Sequence, residues 1–116
     1  MSGQSGSINV ESRVPSDSTK TFRWRVQSSH PVLQDHFPLN PLVPAFIQLE
    51  AIRQLVSAWS EVSAGDIRFR NVKFIAPLLP ERDAEIVVQR AANPATLVFS
   101  LSVDGETLTR GEITVA

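Results

Sequence analysis

The sequence predicts an α+β fold in which an antiparallel sheet of about five strands wraps around one long central helix. Residues 45–60 are almost continuously apolar apart from one polar stripe, which indicates a helix that is covered on most sides. One strand pattern precedes this helix and four follow it, separated by short turn signals. Curling the sheet around the helix is the economical way to cover it. Exposed sheet edges would then favour pairing with a second copy of the chain.

Composition narrows the classes of function. The chain has 116 residues, a net charge of −1 and no cysteine. We therefore expect no nucleic-acid partner, no thiolate chemistry and a cytoplasmic location. No apolar run approaches the roughly 20 residues of a membrane span, so no membrane partner is expected. Residues 1–18 are polar and turn-rich and are predicted to be a flexible N-terminal segment, followed by a single domain over residues 19–116.

The strands are predicted from alternating apolar and polar residues. A change of phase between Phe69 and Val72 predicts a bulge near residues 70–71 of the first strand after the helix. Asp104-Gly105 is a strong signal for a two-residue hairpin between the last two strands. A further bulge is expected at Gly111 in the final strand.

The segment His36–Ala51 organises the rest of the chain. Proline fixes φ and disfavours helix in the residue before it, so residues 36–44 are predicted to form a stiff, extended loop. The helix can begin only at about Pro44 or Ala45. This arrangement brings a histidine, the carboxylate of Glu50 and the unpaired N–H groups of a helix start close together. Such a combination suits chemistry next to a carbonyl group.

The same segment carries a family resemblance. His36-Phe37-Pro38, the prolines at 41 and 44, and Gln48-Leu49-Glu50-Ala51 resemble the active-site segment of the 3-hydroxyacyl-acyl carrier protein dehydratases, which are hot-dog-fold enzymes related to fatty-acid synthesis. The resemblance extends over about residues 20–115. The compact chain looks more like the relatives found in aryl-polyene and similar pigment or polyketide pathways.

The resemblance implies a hot-dog dimer whose two sheets join edge to edge. Each active site would take its histidine from one chain and its carboxylate from the other. The substrate would be a thioester on the 4′-phosphopantetheine arm of acyl carrier protein, entering a tunnel between protomers, and no other cofactor is expected. A heterodimer or a higher oligomer is left open beside the homodimer.

Dehydration of a 3-hydroxyacyl thioester needs a base, a proton donor and a positive field at the carbonyl. His36 is the candidate base, because the unperturbed pKa of histidine lies near neutral pH. Glu50 is the candidate acid, because burial on the central helix would favour its protonated form. The N–H groups of Ala45 and Phe46 would stabilise the developing negative charge. The residues expected to bind substrate are Phe37, Pro38, Pro44, Ala45, Phe46 and Gln54.

Other interpretations of these residues stay open. His36 could be only a packed or exposed loop histidine, and Glu50 could be half of an ion pair with Arg53. Gln54 is expected to satisfy buried polar groups within the helix layer. A metal site is not expected, although His30 lies near His36.

Asp35, Ala45 and Arg53 depart from the pattern of the family. These departures motivate an alternative function, a catalytically degenerate subunit that binds acyl chains or pairs with an active paralogue. A third possibility is an acyl thioesterase. Basic residues on strand faces could meet an acidic carrier protein, although solvated strand faces explain each of them singly.

Overall fold

A five-stranded antiparallel sheet packs one face against a long helix. The computed structural model describes residues 19–36, 42–92 and 95–115, with backbone only at 34–36. The strands are β1 (Thr19–Trp24), β2 (Ile67–Phe74), β3 (Ala84–Arg90), β4 (Thr96–Val103) and β5 (Glu106–Val115), in the spatial order β1-β3-β4-β5-β2. Helix α1 (Pro31–His36) follows β1, and helix α2 (Ala45–Ser60) leads through a 3-10 turn (Ala64–Asp66) into β2. The predicted α+β class, the five strands and the long helix are confirmed.

The core lies between α2 and the inner face of the sheet. The buried residues of α2 are spaced four apart, which places Gln48, Ile52, Val56 and Ser60 on one face of the helix. The strands bury every second residue against this face, as the alternating sequence pattern predicts. The fully buried aliphatic residues of the sheet are Ile67, Ile86, Val88, Leu97, Leu101 and Ile113.

The opposite face of α2 is exposed. Phe46, Glu50 and Gln54 are all exposed, with Phe46 at 62%. The prediction that the helix is covered on most sides is therefore wrong for the single chain. The sheet of one chain covers only one face of a helix, so the apolar residues on the other face need another surface or remain in water.

The turns and bulges follow the sequence closely, with one exception. Asp104 and Gly105 have positive φ angles of 52° and 81°, as a two-residue hairpin requires. The register of β2 on β5 shifts between Arg70 and Lys73, and Asn71 has a φ of 52°. The predicted hairpin and the predicted bulge near residues 70–71 are thus confirmed.

Gly111 is not itself bulged, so that prediction is wrong. The shift between β4 and β5 follows Leu101, where Thr109 and Thr107 pair with consecutive residues and Leu108 is the extra residue. Gly111 instead pairs with Phe99 and lies opposite the bulge of β2. A Cβ at this position would meet the Phe99 ring at 2.8 Å and a Val72 methyl at 3.0 Å, so close packing requires the glycine.

Helix α1 was not predicted. Pro31 occupies its first position, where a missing N–H has no cost, and the Nδ1 of His30 accepts a hydrogen bond from Val32 N–H at 3.2 Å. Leu33 is fully buried and anchors the helix to the core. His36 is therefore helical rather than extended. Pro44, with ψ of 157°, is extended as predicted, whereas residues 37–41 lie outside the described part of the chain.

The connection from β1 to α1 is held by the carboxylate of Glu81. One oxygen accepts hydrogen bonds from the backbone N–H and the hydroxyl of Ser28, at 2.7 and 3.1 Å. The other oxygen lies 3.2 Å from the guanidinium of Arg25. The N–H of Glu81 also donates to the carbonyl of Val26 at 2.7 Å. The hydrogen bond from Ser28 N–H, followed by the one from Arg25, lowers the pKa of Glu81.

Replacing Glu81 should weaken the fold in a pH-dependent manner. Because the folded chain holds the pKa of Glu81 below its ordinary value, this carboxylate stabilises the fold above the ordinary pKa of glutamate, and the stabilisation disappears as pH falls through the lowered value. Glu81→Gln should therefore lower the free energy of unfolding at pH 7. The difference from wild type should shrink on acidification. Urea unfolding at several pH values measures this.

The control is Glu106→Gln, which removes an exposed carboxylate that has no side-chain partner among the described residues. A Glu81→Gln deficit that is equal at neutral and acidic pH would contradict the role assigned to the charge.

Candidate active site

The start of α2 is fixed against the turn that follows β2. The N–H of Val43 donates to the carbonyl of Leu78 at 2.8 Å, and the carbonyl of Pro44 accepts from the N–H groups of Ile47 and Gln48. The N–H groups of Ala45, the first helical residue, and Phe46 have no partner within the described ranges. These donors lie at the positive end of the helix dipole, as the prediction for a carbonyl-binding site requires.

Gln48 joins this helix start to the sheet. Its side chain is 3% exposed; Nε2 donates to the carbonyl of Val43 at 3.1 Å, and Oε1 accepts from the hydroxyl of Thr109 at 2.7 Å. The sequence pattern alone indicates no role for Gln48 or Thr109. The spacing of the helix does predict that Gln48 is buried, because Gln48 precedes Ile52 by four residues and so shares the buried face of the helix.

Removing the Gln48 amide should destabilise the chain more than its volume suggests. Gln48→Met keeps the length of the side chain but leaves the Thr109 hydroxyl and the Val43 carbonyl buried without partners. We expect the free energy of unfolding to fall by about 1–3 kcal/mol. Adding Thr109→Val removes the unpaired hydroxyl and should restore part of this loss. Urea unfolding of the two single variants and the double variant measures the coupling.

Gln54→Met is the matched control, since it makes the same change on the exposed face of the same helix. Equal stability of the Gln48→Met and Gln54→Met variants would show that the buried amide does not hold the helix start.

The carboxylate of Glu50 is held at both oxygens. Nε2 of Gln54, one turn further along, donates to Oε2 at 2.7 Å, and Nε of Arg53 lies 3.6 Å from Oε1. The side chain of Glu50 is 59% exposed, so the burial expected for it is not present in the single chain. The expectation that Gln54 satisfies buried polar groups is also wrong, because Gln54 is exposed and Gln48 has that role.

The structure brings part of the predicted site together. Pro44, Ala45, Phe46 and Glu50 lie within the first two turns of α2 or just before it. His36 ends α1, but its side chain lies outside the described part of the chain, as do Phe37 and Pro38 entirely. The meeting of an imidazole with a partner chain's Glu50 therefore stays a prediction.

One exposed apolar residue at the end of β2 is connected to this helix start through the sheet. Phe74 is 46% exposed near the end of β2 and pairs in register with Thr109, whose hydroxyl binds Gln48. Ile75, 55% exposed, follows it and lies with Val98 on the outer face of the sheet, away from α2. β2 is hydrogen-bonded to β5 on one side only among the described strands. The candidate site thus borders a free sheet edge that carries exposed apolar residues.

Neither His30 nor the basic residues of the strands form a second site among the described residues. His30 uses its Nδ1 to cap α1, and no cluster of three potential metal ligands occurs among residues 19–36, 42–92 and 95–115. Lys73 and Arg110 are direct register partners, and like charges in that position repel each other. Carrier-protein binding by Lys73 and the other basic strand residues that the sequence suggests stays a prediction. Neither α1 nor α2 is long and apolar enough to cross a membrane.

Comparisons with known proteins are consistent with this geometry. A family model described as ApeI-like, ApeI dehydratase, matches residues 11–112. No curated protein sequence matches the chain significantly. Among solved structures, the chain is similar to the dehydratase heterocomplex ApeI:P from Xenorhabdus doucetiae, with 20% identity, a TM-score of 0.71 and coverage of 88% of this chain and 90% of that one.

Two other structures are similar over most of the chain. One is a hot-dog-like protein from Thermanaerovibrio acidaminovorans, with 16% identity, a TM-score of 0.62 and coverage of 90% and 84% of the two chains. The other is a pyran synthase domain from module nine of the sorangicin pathway, with 22% identity, a TM-score of 0.68 and coverage of 88% of this chain and 36% of that chain. These similarities establish the hot-dog fold.

Proposed function

Because the chain belongs to the ApeI-like family of dehydratases, we propose that it removes water from 3-hydroxyacyl thioesters carried on acyl carrier protein. The products would be trans-2-enoyl thioesters. The observation that carries this proposal is the start of α2. It presents two backbone N–H groups without a partner among the described residues, on the helix that also carries the carboxylate of Glu50. This family membership favours dehydration over thioester hydrolysis and over a degenerate subunit.

The proposed chemistry uses three groups. His36 takes the α-proton of the acyl chain, and the electron pair of that C–H bond forms the new double bond. The bond from the β-carbon to its hydroxyl breaks, and Glu50 donates a proton so that the group leaves as water. The N–H groups of Ala45 and Phe46 bind the thioester oxygen while negative charge develops on it.

The substrate-binding roles proposed for the remaining residues follow from their places in the chain. Phe37 and Pro38 follow the proposed base directly in sequence. Pro44 is the N-cap residue of α2 and is half-buried. It comes directly before the two residues that supply the N–H donors. Phe46 and Gln54 lie on the exposed face of α2 on either side of Glu50, where an acyl chain would pass.

We propose that a second copy of the chain completes the site. The edge of β2 that no other described strand pairs with, together with the exposed Phe74, offers a surface for a partner chain. A partner chain there would cover Phe46 and bring its own histidine towards Glu50. The similar ApeI:P structure is a heterocomplex, so a related but different partner chain is the alternative to a homodimer.

The similar structures also suggest the metabolic setting. One belongs to an ApeI:P complex and another to a module of the sorangicin pathway. We therefore propose a place in polyene or polyketide-like synthesis, with the acyl group on the 4′-phosphopantetheine arm of acyl carrier protein and no other cofactor. A cytoplasmic location remains an expectation.

The first test is product formation. Incubation of the purified chain with a 3-hydroxyacyl carrier-protein thioester should give the enoyl thioester, detected by mass spectrometry of the carrier protein. His36→Ala should abolish this product without disrupting the fold. The matched control is His30→Asn, which replaces the only other histidine by a residue that also caps helices well and should retain turnover. Free thiol release would indicate a thioesterase, and neither product would indicate a degenerate subunit.

The second test is complementation between chains. Inactive His36→Ala and Glu50→Gln variants, co-expressed with different tags, should form mixed dimers in which one of the two sites is intact. About half of randomly assembled dimers are mixed, so roughly a quarter of wild-type turnover should return. Mixed dimers isolated through both tags and found inactive would contradict a site shared between two chains.

A further inference from the structure

Arg53 makes more contacts than is usual for a charged residue outside the buried face of a helix. Its guanidinium Nη1 donates to the carbonyl of Ala64 at 3.1 Å and to the carbonyl of Ile67 at 2.5 Å. Its central carbon lies 5.1 Å from the centre of the Phe69 ring, and its side chain is only 29% exposed. These contacts fix the guanidinium at the corner where the 3-10 turn enters β2.

The same guanidinium reaches Glu50. Its Nη1 is directed at the two carbonyls, and Nε lies 3.6 Å from Oε1 of Glu50. The planar, rigid arrangement of donors in arginine allows both sets of contacts at once, and a lysine ammonium cannot reproduce it. Gln54 binds the other oxygen of the carboxylate. Glu50 is therefore held from two sides, and one of the two supports is anchored in the sheet.

An exposed ion pair usually contributes little, because two long side chains must be ordered to form it. Here the ordering cost of Arg53 is already met by its contacts with Ala64, Ile67 and Phe69. The guanidinium acts as a fixed point, so the carboxylate alone must be ordered. For a proton donor, a small error in position has a large effect on rate.

We propose that Arg53 is a positioning residue that holds the carboxylate of Glu50 from the corner between α2 and β2. This inference rests on the proposed function, since it assumes that Glu50 takes part in dehydration. The ion pair between Glu50 and Arg53, which from sequence alone is an alternative to catalysis by Glu50, then supports the catalytic role of Glu50 instead. Arg53 supports the carboxylate that it contacts.

The test is a double-mutant cycle on the full chain with Arg53→Met and Glu50→Asp. Methionine keeps an apolar side chain over Phe69 and removes the guanidinium. Aspartate keeps a carboxylate but is one methylene shorter, which takes its oxygens out of reach of Nε. Arg53→Met should lower kcat about tenfold in the wild-type background, with little change in KM, and less than about twofold in the Glu50→Asp background.

Arg68→Met is the matched control. Arg68 donates through Nη1 to the carbonyl of Gly65 at the same corner at 2.5 Å, and no contact joins it to Glu50 among the described residues. This variant should retain the kcat of the wild type. Should Arg53→Met fail to fold, as judged by circular dichroism and thermal unfolding, Arg53→Lys takes its place in the cycle. It keeps the charge and the aliphatic stem but lacks the planar set of donors.

The outcomes separate the two proposals. A wild-type chain that gives no enoyl product overturns the proposed function, and the role of Arg53 falls with it. An active wild type in which Arg53→Met lowers kcat by the same factor in both Glu50 backgrounds overturns the role of Arg53 alone, because Arg53 would then serve only the fold. A loss confined to the Glu50 background supports the inference.

Discussion

The buried amide of Gln48 is the contact on which the arrangement of the candidate site depends. It binds the Val43 carbonyl, two residues before α2 begins, and the Thr109 hydroxyl in β5. The rest of the interface between α2 and the sheet is mostly apolar, and apolar packing tolerates small shifts. A buried polar group tolerates them poorly, because losing its partner costs the full desolvation penalty. One side chain thus fixes the position of the N–H groups of Ala45 and Phe46 relative to the sheet.

The two faces of α2 set the other constraint. The sheet of one chain buries the face with Ile52 and Val56, whereas Phe46 and Glu50 on the other face remain exposed. Phe46 and Phe74 are both exposed, and exposed aromatic surface of this kind is stabilised when a partner chain covers it. In the proposed dimer, the assembly of the chains and the completion of the active site are therefore the same event. The exposure of Glu50 in one chain is what an interfacial site requires before its partner is added.

Sequence reasoning succeeded where a local rule decides the outcome. The alternating strands, the Asp104-Gly105 hairpin and the bulge at 70–71 each follow from a few neighbouring residues. It failed where distant contacts decide. Leu33 and the capping imidazole of His30 make a helix of a segment that proline spacing alone does not predict. The pairing of Gln48 joins positions 61 residues apart. Burial of Glu50 was inferred from helix composition, which gives no information on which face the sheet covers.

The contacts of Glu50 also bear on whether an arginine at position 53 is compatible with catalysis. The two oxygens of a carboxyl group offer about four lone-pair sites, and one of these sites carries the proton when the group acts as an acid. Gln54 uses one site on Oε2, and Arg53 lies near Oε1 at a distance too long for a strong hydrogen bond. At least two sites thus remain for the proton that is transferred or for the water that leaves. Arg53 is directed mainly at the carbonyls of Ala64 and Ile67, so its charge orients the carboxylate without enclosing it. An arginine at position 53, although it departs from the family pattern, is therefore compatible with the proposed role of Glu50 as proton donor.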